Sequence, residues 1–228
     1  MATTSPDTRE RLLLAAAELF AAHGCHGTTV REIARRAGAN VAAANYHFGS
    51  KNELYLGVLR RHFGEIRSRL EEQTPLPEGP ALRRLPRNDV VDLLRRRIAT
   101  MLELLIGPPP GLHGSLMIRE MIDPSEALPV IVAEFIRPQM SDLGAILRRL
   151  APGLGETEIE RSIFSIIGQI LFYRLTRPVQ LLLARRRELP AGLAREVAHH
   201  IAELSVGGMD RLASAHGAAA HGRRRHAS

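Results

Sequence analysis

The chain has 228 residues, one cysteine, no tryptophan and a formal net charge of +7. A lone Cys25 excludes an intramolecular disulfide framework. No apolar run reaches bilayer length, and the polar start MATTSPDTRERLLL lacks the form of a signal peptide, so a cytoplasmic protein with no membrane partner is expected. The charge is thinly spread: residues 1–73 hold ten Lys and Arg against eight Asp and Glu, 74–214 hold eighteen against sixteen, and Arg223, Arg224 and Arg225 supply the rest. Attraction to nucleic acid therefore has to be read from where the cations stand, not from their number.

Helical periodicity starts near Asp7, a plausible cap with Glu10 three residues on, and runs to about His23 with Leu12, Ala16, Leu19 and Phe20 inward. Residues 28–51, TTVREIARRAGANVAAANYHFGSK, then read as two short helices joined by a tight turn. Thr29 and Glu32 have capping-box spacing, and Val30, Ile33, Ala34 and Ala37 share one face. Gly38 stops that helix, and Asn40 caps the next, about Val41–Phe48. Ser50 and Glu53 open a long helix from Lys51 to about Gln73, with Tyr55, Leu59, His62, Phe63, Ile66 and Leu70 as its apolar stripe. Two short helices in this arrangement form a helix-turn-helix, the layout of a DNA reader.

Residue chemistry sorts the contacts. Thr28, Thr29, Tyr46, His47 and Lys51 are candidates for phosphate, and Arg31 for phosphate or base. Asn40, Val41, Ala42 and Asn45 are candidates for base edges, since Asn pairs two-handed with adenine and small apolar groups meet the thymine methyl. Lys51 opposes the dipole at its own helix start, a small cost that a bound phosphate would reverse.

TPLPEGPALRRLPRN (74–88), with four prolines, marks a domain break. Helix resumes near 88–89 and ends before the GPPPG run at 107–111. A shorter helix covers about 112–122, and 125–150 is a broken pattern that Pro138 kinks or restarts. In 156–177, Ile163, Phe164, Ile166, Ile167, Ile170, Leu171, Phe172 and Tyr173 leave almost no polar face, which requires burial all round. The last helix, about 191–212, has Leu193, Val197, Ile201, Leu204 and Leu212 on one stripe. Two such helices from each of two chains would form an intersubunit four-helix bundle. The expected organisation is all-α: a helix-turn-helix domain at 1–50 with the connecting helix 51–73, a larger domain at 74–214, and a disordered basic tail at 215–228.

RLLLAAAELFAAHGCHGTTV, REIARRAG and YHFGSKNELY resemble the DNA-binding domain of the TetR family of bacterial transcriptional regulators over residues 8–63. Asn45 departs from the tyrosine that many members carry there. MIREMIDPSEALPVIVAEFIRPQM and IFSIIGQILFYRLTRP resemble the effector domain of the CecR type. The resemblance implies a homodimeric repressor that binds a palindromic operator and is released by a small-molecule effector. The effector pocket expected from it draws on Met101, Met117, Met121, Met140, Phe135, Phe164, Phe172 and Tyr173, with His113, Arg119, Glu120 and Gln169 as polar anchors. Alternatives are an architectural DNA-binding protein, a relative that has lost DNA binding, and an enzyme. Against the last, there is no nucleophile elbow, phosphate loop or metal-spaced Cys/His set. No cofactor or metal is expected: His23, Cys25 and His26 fall at a helix end, and His216, His221 and His226 in the tail.

Overall fold

The computed structural model describes residues 7–106 and 112–225, with side chains through residue 216. Every element among them is helical. None of the described helices is long and apolar enough to cross a membrane. Contacts divide the chain into two compact units, residues 1–67 with 109–136, and residues 68–108 with 137–228. This division departs from the expected one: the segment after the GPPPG run belongs with the N-terminal helices. That run lies outside the described residues.

The first unit is built on α1 (Thr8–His23), α2 (Val30–Arg36), α3 (Val41–Phe48) and the first part of α4 (Lys51–Gln73). The boundaries of α2 and α3 follow from local chemistry. Thr29 Oγ1 accepts from the Glu32 N–H at 3.2 Å, while the Glu32 carboxylate takes the Thr29 N–H at 2.9 Å, completing the capping box. After α2, Gly38 at φ 61° lets its own N–H reach Arg35 O and the Ala39 N–H reach Ala34 O, a Schellman closure. Asn40 Oδ1 then accepts from Ala43 N at 2.7 Å to start α3. Asp7 differs from expectation, since its side chain makes no capping bond. Thr29→Ala should lower stability by about 1 kcal/mol, read as a thermal midpoint roughly 2–4 °C lower; an unchanged midpoint would show that the box contributes nothing.

The core of this unit gathers Leu12, Ala16 and Phe20 of α1, Ile33 of α2, Ala44 of α3, and Leu54, Tyr55, Leu59 and Phe63 of α4. Leu116 and Ile131 join the same cluster from α7 (Leu112–Ile122) and the one-turn α8 (Leu128–Ile131). A single π turn, Val132–Ile136, follows and sets Phe135 edge-on to Phe63 at 5.6 Å. Exposed polar ties hold the same segment to α4: Arg60 makes a two-pronged pair with Glu134, and Asn52 bonds Glu126 at 2.6 Å. Such exposed contacts contribute little, so the buried apolar contacts hold this segment in place.

The second unit contains the end of α4, α5 (Gly79–Arg84), α6 (Arg87–Ile106), α9 (Arg137–Leu150), α10 (Glu156–Leu175), α11 (Arg177–Leu183) and α12 (Leu193–Arg225). Pro138 is the second residue of α9, directly after the π turn Val132–Ile136; without an N–H it cannot continue the regular ladder, and it stands where the helical hydrogen-bond pattern changes. Val90, Leu94, Ile98 and Leu102 of α6 pack with Ile146, Leu147, Ile159, Ile163, Ile166, Ile170, Val197 and Ile201. Arg97 is buried in this core, donating to Thr74 O and Asp142 Oδ2, both at 2.9 Å. The tail expected to be disordered at 215–228 is instead helical as far as Arg225. The alanine-rich AHGAAAH stretch favours helix, and α12 continues through it; residues 226–228 lie outside the described residues.

α10 is not buried all round within one chain. Ile159, Ile163, Ile166 and Ile170 face the core, but Phe164 and Phe172 are 58% and 62% exposed. They flank Gly168 at four-residue spacing, and Leu204 and Leu212 of α12, both exposed, flank Gly208 in the same way. A Cβ added at either glycine would meet nothing within 4 Å. Each helix thus presents a large–Gly–large surface to the outside.

Candidate nucleic-acid interface

α3 turns one face to solvent. Ala44 is buried, while Val41, Ala42, Asn45 and Tyr46 are exposed, residues one and four apart on a single side. Tyr46 is 86% exposed. An aromatic ring that bare in a folded unit is the kind of group that marks a contact surface. Phe48 turns the other way, against the core, with the Arg9 guanidinium 5.3 Å from its ring centroid. Arg9 is exposed and stands next to the end of α3. Nothing in local spacing links residues 9 and 48, which is why sequence reading passed Arg9 over.

The expected phosphate contacts divide. Thr28 is corrected: it is 1% exposed, and its hydroxyl donates to Gly24 O at 2.9 Å and Leu19 O at 3.3 Å. It closes the loop after α1 and has no surface to offer a phosphate. Thr29 is exposed, but its hydroxyl proton goes to Glu32 Oε2 at 2.7 Å, and this bond with its backbone partner holds the Glu32 carboxyl below its ordinary range. The Lys51 ammonium donates to Cys25 O at 2.9 Å, so it braces the α1–α2 loop and keeps two of its three donors for other partners. That bond, rather than a phosphate alone, accounts for a lysine at this helix start. Arg31 and Asn40 are exposed and His47 is half-buried. Asn40 Oδ1 is committed to the cap. In the same loop, Gly27 is required because a Cβ there would collide with His23 O.

The expected effector residues fall in both units. In the first, Met117 and Phe135 are partly buried against the core, and His113 is half-buried beside His62. Glu120 is corrected from ligand anchor to structural group. It is buried and accepts from Tyr55 Oη at 2.7 Å, Ser125 N at 2.9 Å and Ser125 Oγ at 3.0 Å. Burial and this carboxylate raise the Tyr55 hydroxyl far above an ordinary phenol, so it stays a donor. Arg119 bonds Ala22 O, and Met121 is exposed. In the second unit, Met101, Met140 and Tyr173 pack against the core, Gln169 donates to Ser165 O, and Phe172 lies on the surface. A cleft of about 310 Å³ there, with Thr74, Arg95, Arg96, Thr100 and Arg195 in its wall, includes none of these five.

Sequence and fold comparisons agree with this geometry. Residues 12–58 match the family described as bacterial regulatory proteins, tetR family. Residues 90–209 match the C-terminal domain of the HTH-type transcriptional dual regulator CecR. The chain is 30% identical over 196 residues to the CecR regulator of Shigella flexneri, covering 80% of this chain and 82% of that one. In fold it is similar to the TetR family transcriptional regulator PfmR from Thermus thermophilus, with TM-score 0.60, 21% identity and coverage of 90% and 97%. It is also similar to the transcriptional regulator FadR from Bacillus subtilis in complex with stearoyl-CoA, with TM-score 0.62, 18% identity and coverage of 87% and 97%.

Proposed function

The chain belongs to the TetR family of bacterial transcription regulators, with a C-terminal domain of the CecR type, and on that premise we propose that it is a homodimeric repressor. It binds a near-palindromic operator in the cytoplasm and leaves it when a small-molecule effector binds. The observation that carries the reading is the bare α3 face of Val41, Ala42, Asn45 and Tyr46, held out by buried Ala44 and the Asn40 cap. A helix so presented enters a major groove, and a twofold dimer places two of them roughly 34–36 Å apart, one turn of DNA. Ala42 and Val41 are small enough for close approach, and Asn45 carries the two-handed group that reads adenine. Tyr46, His47, Arg31, Arg9 and the spare donors of Lys51 take the phosphates around it.

The dimer is supported by the uncovered Phe164–Gly168–Phe172 and Leu204–Gly208–Leu212 surfaces of α10 and α12. Large apolar surfaces are rarely left bare on a monomer, and the glycine notches allow close helix approach. Effector binding is supported within the first unit by the packing of α7 and the π turn on α1 and α4, the helix that follows the reader directly. A ligand that prefers a state with α4 shifted must lower operator affinity by the same factor that operator lowers ligand affinity. Met117, Phe135 and His113 are the residues nearest to that role. FadR, the fold neighbour from Bacillus subtilis, is described in complex with stearoyl-CoA, a ligand with a long apolar chain and a charged head.

Selecting the operator from a random DNA pool opens the test. Asn45→Ala should weaken operator binding roughly five- to a hundredfold and leave random-sequence DNA nearly unchanged. Lys51→Ala should weaken both alike and reduce the slope of log affinity on log salt by about one. An unaltered ratio of specific to nonspecific affinity in Asn45→Ala would remove the base-reading role.

A further inference from the structure

His62 and Glu65 of α4 and His113 of α7 meet inside the first unit, although 51 residues separate the two histidines. His62 Nδ1 lies 3.0 Å from His113 Nδ1. Glu65 Oε2 lies 3.9 Å from His62 Nδ1 and 3.4 Å from His113 Nε2. One potential ligand atom from each residue falls within 4.8 Å of the others. A tetrahedral ion with bonds of about 2.0–2.1 Å holds its donors about 3.3 Å apart. Only one nitrogen of His113 can serve one ion, so its ring and the Glu65 carboxylate rotate to draw three donors that now lie within 4.8 Å onto one centre.

The surroundings suit that use. His62 and Glu65, three apart on α4, share a helix face. Both imidazole side chains are largely buried, and burial together with the neighbouring His113 pushes His62 down to about 4, leaving a neutral ring at physiological pH. The carboxylate is aimed: Glu65 Oε1 lies 3.6 Å from Arg61 Nε, while Oε2 faces the histidines. Arg61 is itself held by Glu10, at 2.6 and 2.7 Å. Outer partners of this kind orient ligands in metal sites. Glu65 is half-exposed, so solvent reaches the fourth position.

We propose that His62, His113 and Glu65 form a binding site for a divalent transition-metal ion of the zinc class, tying α7 to α4 and so changing operator affinity. The regulatory half rests on the DNA-binding reading above; the site itself does not. Two imidazoles and one carboxylate with a free position suit zinc, nickel or ferrous ion better than magnesium or calcium, which prefer all-oxygen shells. In the apo form the two Nδ1 atoms, 3.0 Å apart, share a proton. The incoming ion takes its place, and the ring that held the proton at Nδ1 carries it at Nε2 instead, so both imidazoles bind in the neutral form. His23, Cys25 and His26 play no part.

The full chain, free of any affinity tag, is titrated with Co²⁺ followed by its visible absorption, and with Zn²⁺ in competition with a chromophoric chelator. One ion per chain and an intense tetrahedral cobalt band are expected. His113→Gln should weaken binding at least about tenfold, the scale of even an outer-partner loss. The double variant His62→Gln, His113→Gln should abolish the band while circular dichroism shows a folded helical protein. Replacing His216, His221 and His226 with Ala should change nothing. Binding that survives the double variant, or that disappears with the tail histidines, overturns the site. In parallel, operator affinity is measured with Zn²⁺ and with a chelator. A shift of about tenfold or more in the wild type that is absent in the double variant supports the regulatory role; ion binding with no shift overturns that role and leaves the site standing. A protein that loads the ion but selects no DNA from the pool overturns the DNA-binding reading instead.

Discussion

Ala42→Glu abolishes operator binding, with affinity falling by at least about a hundredfold, while the thermal midpoint stays within a degree or two of wild type. The position is exposed on α3 and is not a member of the core cluster of its unit, so the substitution leaves the core's own packing intact. A carboxylate in the first turn of a helix is favourable for the helix itself. Against DNA it does harm twice. It sets a negative charge where the phosphate potential is strongest, and it demands that the charge be desolvated without a partner, at a cost of several kcal/mol. Fluorescence anisotropy with labelled operator reads the loss of affinity, and circular-dichroism melting reads the unchanged stability. Wild-type affinity in this variant would mean that another surface reads the DNA.

Phe164→Glu combined with Phe172→Glu converts the protein to a monomer and lowers operator affinity by more than about a hundredfold. Both rings are over half exposed on one chain, eight residues apart on one face of α10. Burying them against a second copy would contribute roughly 1.5–3 kcal/mol per side chain. Four glutamates facing each other across a twofold axis reverse the sign. Because a near-palindrome is read by two half-sites held together, losing the partner loses the linked second binding event. Light scattering after size exclusion gives the mass. A wild-type protein already monomeric at micromolar concentration, or a double variant that stays dimeric, sinks the proposed interface.

Both variants probe features visible in the chain to different degrees. The bounds of α3 and α4 were readable because everything that sets them is local. Asn40 caps three residues on, Gly38 supplies the left-handed turn, and Ser50 Oγ accepts from Glu53 N at 3.1 Å. The buried and exposed sides of α3 follow from the same helical repeat. The roles of Thr28 and Lys51 were not readable, since their partners, Leu19, Gly24 and Cys25, are chosen by how the loop folds back. A threonine and a lysine beside a reading helix have the right chemistry for phosphate in either case. Glu120 shows the same limit: a carboxylate in an apolar segment looks like a ligand anchor until Tyr55, 65 residues away, is seen to hold it.

Composition and periodicity alone determined that the chain is all-α, that its reader is a helix-turn-helix, and that α10 has more apolar surface than its own unit can cover. Caps, turns and helical faces act over three or four residues, within the reach of a linear pattern. Only the tertiary structure decided that residues 109–136 join the N-terminal unit, that Arg9 stands beside Phe48, and that His113 meets His62. Those pairings close loops of 39 and 51 residues. The entropy of closing such loops is nearly indifferent to which residues end up adjacent. For residues 109–136 the choice falls to the burial of Leu116, Ile131 and Phe135 in the core shared with α1 and α4, a packing energy that no short stretch of the chain displays.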